Sequence, residues 1–407
     1  MELNSIQRSE YIDLVNQYKT PLYVYEGDLI ISQIRRLKSA FSGFDHQLLF
    51  AAKALDNQTI LRLIKREGLG LDAVSINEVE LGLLAGFEPC DILFTPSNPS
   101  FEDIAKAVQF GVHITLESIS ALKKFGNRYG GGYPVFIRIN PHILAGGNPK
   151  IQTGHIDSKF GISIFQIAEI LELVNEFGIQ VEGLHVHTGS EFLDSGVFLQ
   201  GAELLFQAAT HFPEIRFIDF GSGFKIKNRS DDAETPIEEL GRKIALAVGE
   251  FNKSRPQPVQ IWFEPGKYLV MQSGTLLTRV TTVKKSPTSV FLGVDTGLSH
   301  LIRPMFYDAY HPIENISREE APDHIYSVVG NICETDTLGY NRQLPETSEE
   351  DVLAIRNAGA YGFTMASQYN GRFRPAEVLI LGGKAHLIRK RETLDDLLKN
   401  QINPAIF

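Results

Sequence analysis

Gln47-Leu48-Leu49-Phe50-Ala51-Ala52-Lys53 is the stretch on which the fold turns. A short apolar run ending abruptly in a lysine reads as a strand covered on both faces, with a polar group at its C-terminal end. Seven more runs of this kind follow, at residues 71–74, 91–94, 112–116, 134–140, 181–187, 215–220 and 260–264. Amphipathic segments of helical length separate them, among them 57–66, 76–85, 101–110, 164–177 and 236–251, and another at 28–41 precedes the first strand. Ser75, Ser100 and Ser163 stand three residues before Glu78, Asp103 and Gln166, the spacing of capping boxes. Such alternation suits an open doubly wound sheet or a closed barrel. Eight strand–helix units over about 240 residues favour an α/β (β/α)8 barrel.

The texture changes after Glu264-Pro265-Gly266. Residues 267–283, 288–295, 325–330 and 376–388 are rich in Val, Leu, Ile and Thr and read as strands, with a short helix around 393–400. Leu22-Tyr23-Val24-Tyr25 is strand-like and precedes the barrel. The expected division is therefore a barrel over 26–266, and a C-terminal all-β domain that also takes in 1–25.

Composition sets the outer limits. The 407 residues carry 39 Lys and Arg against 49 Asp and Glu, a formal charge of −10. That balance argues against a general nucleic-acid or anionic-membrane binder, which needs positive surface. No apolar run reaches the ~18 residues of a membrane span. The N-terminal Met1-Glu2-Leu3-Asn4-Ser5 has no basic segment followed by an apolar one, so no signal peptide is expected. Cys90 and Cys333 are too few for a disulfide framework. The expected setting is cytoplasmic and reducing.

Barrels place their chemistry at the C-terminal ends of the strands. Strand one ends at Lys53, strand six at His185-Val186-His187-Thr188-Gly189-Ser190, strand seven at Asp219-Phe220-Gly221-Ser222-Gly223 and strand eight at Glu264. Taken singly these are a loop lysine, core histidines, a bare GxG and a turn cap. Two alternating histidines without a third ligand do not make a zinc site, and no metal is expected. Together they supply an amine with little water around it, an anion cradle after strand seven and a carboxylate for a heterocyclic nitrogen. Those are the requirements of pyridoxal 5'-phosphate.

At this point the chain resembles the fold-type III pyridoxal-phosphate decarboxylases, whose fold is alanine racemase-like, and most closely their diaminopimelate decarboxylase members. The likeness runs from Thr20-Pro21-Leu22-Tyr23-Val24-Tyr25 to Arg374-Pro375-Ala376-Glu377. It rests on Phe50-Ala51-Ala52-Lys53-Ala54, Gly183-Leu184-His185-Val186-His187-Thr188-Gly189-Ser190 and Glu264-Pro265-Gly266-Lys267. Leu301-Ile302-Arg303-Pro304-Met305-Phe306-Tyr307, Cys333-Glu334, Ala358-Gly359-Ala360-Tyr361-Gly362 and Met365-Ala366-Ser367-Gln368-Tyr369-Asn370 complete it.

The resemblance implies decarboxylation of meso-2,6-diaminopimelate to L-lysine and CO2, the last step of lysine biosynthesis. Lys53 would bond the cofactor's aldehyde, His187 would stack on its ring and Ser190 would lie near it. Gly221, Ser222 and Gly223, with the Tyr369 hydroxyl, would hold the phosphate. Glu264 would pair with the ring N–H, with Gly266 and Lys267 beside it. Arg303 and Tyr307 would clamp the substrate's distal carboxylate, with Lys267 and Tyr369 also lining the substrate, and Glu334 would read its distal ammonium. Cys333, with Lys53, is catalytic by the same likeness, either one returning the final proton. Cys333 and Glu334 come from the partner subunit in this family, which implies a homodimer. Related decarboxylases of ornithine, arginine or carboxynorspermidine, and non-catalytic pyridoxal-phosphate-binding proteins, are the alternatives.

Three departures stand out. Lys267 replaces the usual arginine and loses its bidentate fork. Cys333-Glu334-Thr335-Asp336 brings the second acid one position early, which leaves the role of Asp336 open. The segment Thr95-Pro96-Ser97-Asn98-Pro99 does not match, and no role is carried onto it.

Overall fold

The computed structural model describes residues 3–143, 158–187, 189, 193, 195–229 and 231–404. The chain divides into two compact units, one of residues 31–227 and 233–269, the other of 1–30, 228–232 and 270–407.

The first unit is a closed barrel of eight parallel strands. In chain order they are His46–Ala51, Gly70–Ala73, Ile92–Phe94, His113–Leu116, Val135–Asn140, Val181–His185, Phe217–Asp219 and Gln260–Phe263. Each pairs with the next, the eighth pairs with the first, and the two-residue strand Ile162–Ser163 adds to the fifth. The eight expected strands are all present; strand six ends at His185, two residues before the expected end. The helices Ile76–Ala85 and Phe101–Phe110 open on Ser75 and Ser100, whose hydroxyls accept from the Glu78 and Asp103 amides. Ser163 instead caps a single 3-10 turn through the Phe165 amide, and the α-helix starts at Ile167.

Leu49, Leu93, Phe136 and Phe217, from strands one, three, five and seven, form an apolar layer joined by Trp262. Such alternate-strand layers fill barrels of this kind. Side chains two residues apart on a strand share a face. The residues two positions on are Ala51, Thr95, Arg138, Asp219 and Glu264, so the packed layer is the floor on which a polar layer stands. Gly183 on strand six makes room for this floor, since a Cβ there would lie 2.4 Å from the Phe136 ring.

The second unit is a nine-stranded sheet. Its order is Thr337–Leu344, His324–Val329, Val290–Val294, Gly274–Lys285, Leu22–Glu26, Ala376–Leu381 and Lys384–Arg389, with Val352–Ile355 bridging Gly274–Lys285 and Ile313–Asn315. Leu22–Glu26 pairs antiparallel with residues 274–277 and parallel with 376–380. The apolar side of this sheet packs with Tyr11, Leu14 and Val15 of the helix Ser5–Tyr18, which periodicity did not single out. Two expectations are corrected here. Residues 267–270 form a helical turn, because the Leu269 amide reaches back to the Gly266 carbonyl after the Pro265 turn. The run 376–388 is a hairpin, broken where Gly382 and Gly383 take φ of 56° and 71°. No helix among the described residues is long and apolar enough to cross a membrane.

Candidate active site

Lys53 sits in a single 3-10 turn, Ala52–Ala54, that continues barrel strand one. Its Nζ donates to Asp72 Oδ2 at 2.7 Å. Asp72 is fully buried on strand two, and its other oxygen accepts from the Thr95 hydroxyl. Burial lifts the Asp72 carboxyl above its ordinary range and the charge of Glu264 adds to the rise, while Lys53 opposes it.

Glu264 follows strand eight and is buried. His185 Nε2 lies 3.5 Å from its Oε1. Burial alone would favour the neutral acid, but His185 and Lys53 outweigh it and hold Glu264 below the usual carboxylate range. His187 is pushed down to about 3, mainly by loss of water, so its ring is neutral at ordinary pH. Its Nδ1 accepts from the Ser222 amide at 3.2 Å, which ties the strand-six rim to the glycine loop.

That loop is anchored at both ends. The Gly221 amide donates to Asp219 Oδ1 at 2.7 Å, and the Gly221 carbonyl accepts from the Glu264 amide at 2.8 Å. Gly221 has φ of 62°, and a Cβ on it would stand 2.5 Å from His187 Nδ1. A side chain there would both strain the backbone and displace the imidazole. Arg138, on strand five, is buried with its Nη1 3.8 Å from Glu117 and its guanidinium over the Phe160 ring.

These residues suit pyridoxal phosphate on their own chemistry. Glu264 Oε1 and both ring nitrogens of His185 are buried without a well-formed hydrogen bond among the described residues. A buried, ionised carboxylate offers a partner for a ring N–H, the glycine-flanked loop lets an anion approach the backbone closely, and a primary amine stands on the same rim.

The structure thus gathers Lys53, His187, Gly221, Ser222, Gly223, Glu264, Gly266 and Lys267 in the barrel unit; Ser190 lies outside the described residues. In the β unit, Tyr369 Oη donates to Glu334 Oε1, Cys333 Sγ is 3.4 Å from Glu334 Oε2, and the Cys333 amide donates to Asn370. Glu334 pushes the Tyr369 hydroxyl up to about 12. Arg303 opens the short helix Arg303–Tyr307, with its guanidinium 5.6 Å from the centre of the Tyr307 ring.

Asp336 is buried, accepts from the Leu298 amide and packs so tightly that a Cβ on Gly297 or Gly330 would strike its Oδ2. It is a brace for the loop that carries Cys333 and Glu334. Asp72, Thr95, Arg138 and Asp219 were given no role from sequence. The available signal was a lone polar residue at the C-terminal end of an apolar strand.

Comparison with known proteins agrees with this geometry. The family model for the pyridoxal-binding domain of pyridoxal-dependent decarboxylases matches residues 27–271. The diaminopimelate decarboxylase of Methanothermobacter thermautotrophicus is 39% identical over 98% of this chain and 95% of its own. That of Archaeoglobus fulgidus is 34% identical over 98% and 97%. The crystal structure of the Helicobacter pylori diaminopimelate decarboxylase complexed with L-lysine superposes with a TM-score of 0.87 at 32% identity, covering 96% of this chain and 98% of that one. The chain belongs to the pyridoxal-dependent decarboxylases and, within them, to the diaminopimelate decarboxylase family.

Proposed function

We propose that this chain decarboxylates meso-2,6-diaminopimelate to L-lysine and CO2 at a pyridoxal phosphate held by Lys53. The observation that carries this reading is the convergence of Lys53, the Gly221-Ser222-Gly223 loop and the buried carboxylate Glu264 on one rim of the barrel. When bound, the cofactor accepts the electron pair left at the substrate's Cα as carboxylate departs.

The residues of the chain set the conditions for that chemistry. Glu264, kept ionised by its cationic surroundings, stabilises a protonated ring nitrogen. Neutral His187 offers a flat face without placing a second positive charge against the ring. The Gly221, Ser222 and Gly223 backbone receives the phosphate, joined by the Tyr369 hydroxyl, and Ser190, Gly266 and Lys267 complete the enclosure. Arg303, Tyr307 and Lys267 bind the distal carboxylate of the substrate, and Glu334 its distal ammonium. Lys53 Nζ or Cys333 Sγ returns a proton to Cα. Cys333 and Glu334 act across a homodimer interface, and the enzyme works in the cytoplasm. In functional terms 26–266 is the cofactor domain, and 1–25 with 267–407 forms the β domain.

The test is CO2 release from a panel of diamino acids. Diaminopimelate as the preferred substrate, with L-lysine as product, supports the reading; ornithine or lysine as the preferred substrate overturns it.

A further inference from the structure

Asp219 is a fully buried acid on the rim to which the proposed chemistry gives no task. Strand register places it beside His185 on strand six and Trp262 on strand eight. An oxygen of Asp219, an oxygen of Glu264 and a ring nitrogen of His185 all lie within 4.8 Å of one another, and all three residues are buried. Asp219 Oδ1 accepts the Gly221 amide, whereas Oδ2 is buried without a well-formed hydrogen bond.

Two carboxylates this close in a site shielded from water do not both ionise. The surroundings decide which one keeps the proton. His185 and Lys53 favour the charged form of Glu264. Asp219 meets burial first, then the charges of Glu264 and Asp72, and these lift it well above its ordinary range although the Gly221 amide pulls the other way. Arg138 on strand five, with Glu117 beside it, and Glu78 near Asp72 and Lys53 are further charged groups here among the described residues.

We propose that Asp219 is a positioning residue that joins the two ends of the cofactor site: one oxygen fixes the Gly221 amide of the anion loop, and the other, carrying a proton, donates to Glu264. The shared proton lets Glu264 stay charged toward the ring nitrogen while the pair carries one negative charge instead of two. Loop position and the charge of Glu264 are thereby set by a single side chain. This assignment rests on the cofactor site proposed above.

The test compares the full-length wild type with Asp219→Asn and Asp219→Ala. Asparagine can accept from the Gly221 amide and donate to Glu264, so it stands in for a protonated acid; alanine does neither. After removal of cofactor and titration with pyridoxal phosphate, Asp219→Ala weakens binding by about tenfold or more, and Asp219→Asn restores it to within about threefold of wild type. A second readout is the thermal midpoint from pH 5 to pH 9. The folded wild type keeps a proton on Asp219 where the unfolded chain has lost it, so this group's stabilisation falls as pH rises above the ordinary carboxyl range. Asp219→Asn escapes that loss and therefore gains on wild type as pH rises.

Asparagine as damaging as alanine, with a gap from wild type that does not change with pH, would overturn the proposal. So would a zinc-dependent rise in the wild-type midpoint that Asp219→Asn abolishes, because the trio would then be a cation site. A wild type that takes up no pyridoxal phosphate would instead refute the cofactor reading, and the pH comparison would still decide where the proton resides.

Discussion

Lys53 Nζ and Asp72 Oδ2 are joined at 2.7 Å, a bond from the rim of barrel strand one to strand two, where Asp72 is the register partner of Ala51. Asp72 is fully buried and also accepts from Thr95, so the amine is tethered to a fixed point and not left to sweep the barrel mouth. Such a tether restricts the rotamers of a long, flexible side chain. It also holds one particular lysine at the mouth, as the proposed bond to the cofactor's aldehyde requires.

Borohydride reduction of the holoenzyme followed by peptide mapping should therefore find the pyridoxyl group on Lys53. Lys53→Ala should lose on the order of 10⁴-fold in turnover, as expected when the group that bonds the cofactor is removed. A pyridoxyl group on Lys159 or Lys225 instead would sink the assignment.

Cys333 and Glu334 touch each other and Tyr369, and under the proposed mechanism they serve chemistry that Lys53 begins. If they act across a homodimer, Lys53→Ala and Cys333→Ala damage different chains of the same site. Mixing the two inactive proteins under conditions of subunit exchange should restore about a quarter of wild-type activity, because half of the dimers then hold one intact site. No recovery despite demonstrated exchange would place both residues in a single chain's site.

The fold was legible wherever burial and periodicity agreed. Each barrel strand is an apolar run because both of its faces are covered, and Ser75 and Ser100 mark helix starts by local hydrogen bonds alone. The β unit was harder to read. Thr337–Leu344 carries exposed polar residues along half its length, and Ile313–Asn315 has three residues, so neither produces a run. The site residues were legible where they form a motif, as in Glu264-Pro265-Gly266-Lys267. Asp72, Arg138 and Asp219 were not, because a single acid or base in an apolar strand shows its purpose only when a tertiary neighbour is in place: Lys53, Glu117 or Glu264.

Acid should destabilise this protein at a pH that can be anticipated. Burial pushes His187 down to about 3, and burial also pushes His300 down to about 4. Between those values and the usual ~6.5 the unfolded chain binds protons that the folded chain refuses. Their contribution is therefore fully present above pH 6.5 and is lost as pH falls toward 4. Each histidine steepens the loss by up to roughly 1.4 kcal/mol per pH unit. Denaturant melts of wild type and His300→Gln at pH 7, 6 and 5 should show a shallower decline for the variant; equal slopes would mean that His300 titrates normally.

Arg303 sets the last expectation, which concerns substrate choice. It is buried at the start of a short helix, with the Tyr307 and Tyr361 rings each 5.6 Å from its guanidinium carbon. A planar donor beside aromatic rings is suited to take a carboxylate through two parallel hydrogen bonds. Diaminopimelate offers that carboxylate at its distal end; ornithine and lysine offer only an ammonium. Binding them would bring cation against cation. Discrimination against a ligand that leaves a buried polar group unmatched can reach on the order of 10⁴ in kcat/KM. Arg303→Ala should therefore cost diaminopimelate roughly 10²–10³-fold in kcat/KM, the range for truncating a buried charge pair, while changing the low activity on ornithine little. Arg303→Lys should recover only part of the loss, since one ammonium cannot replace the two-pronged contact. Equal losses on diaminopimelate and ornithine would show that Arg303 supports the fold of the site without reading the distal carboxylate.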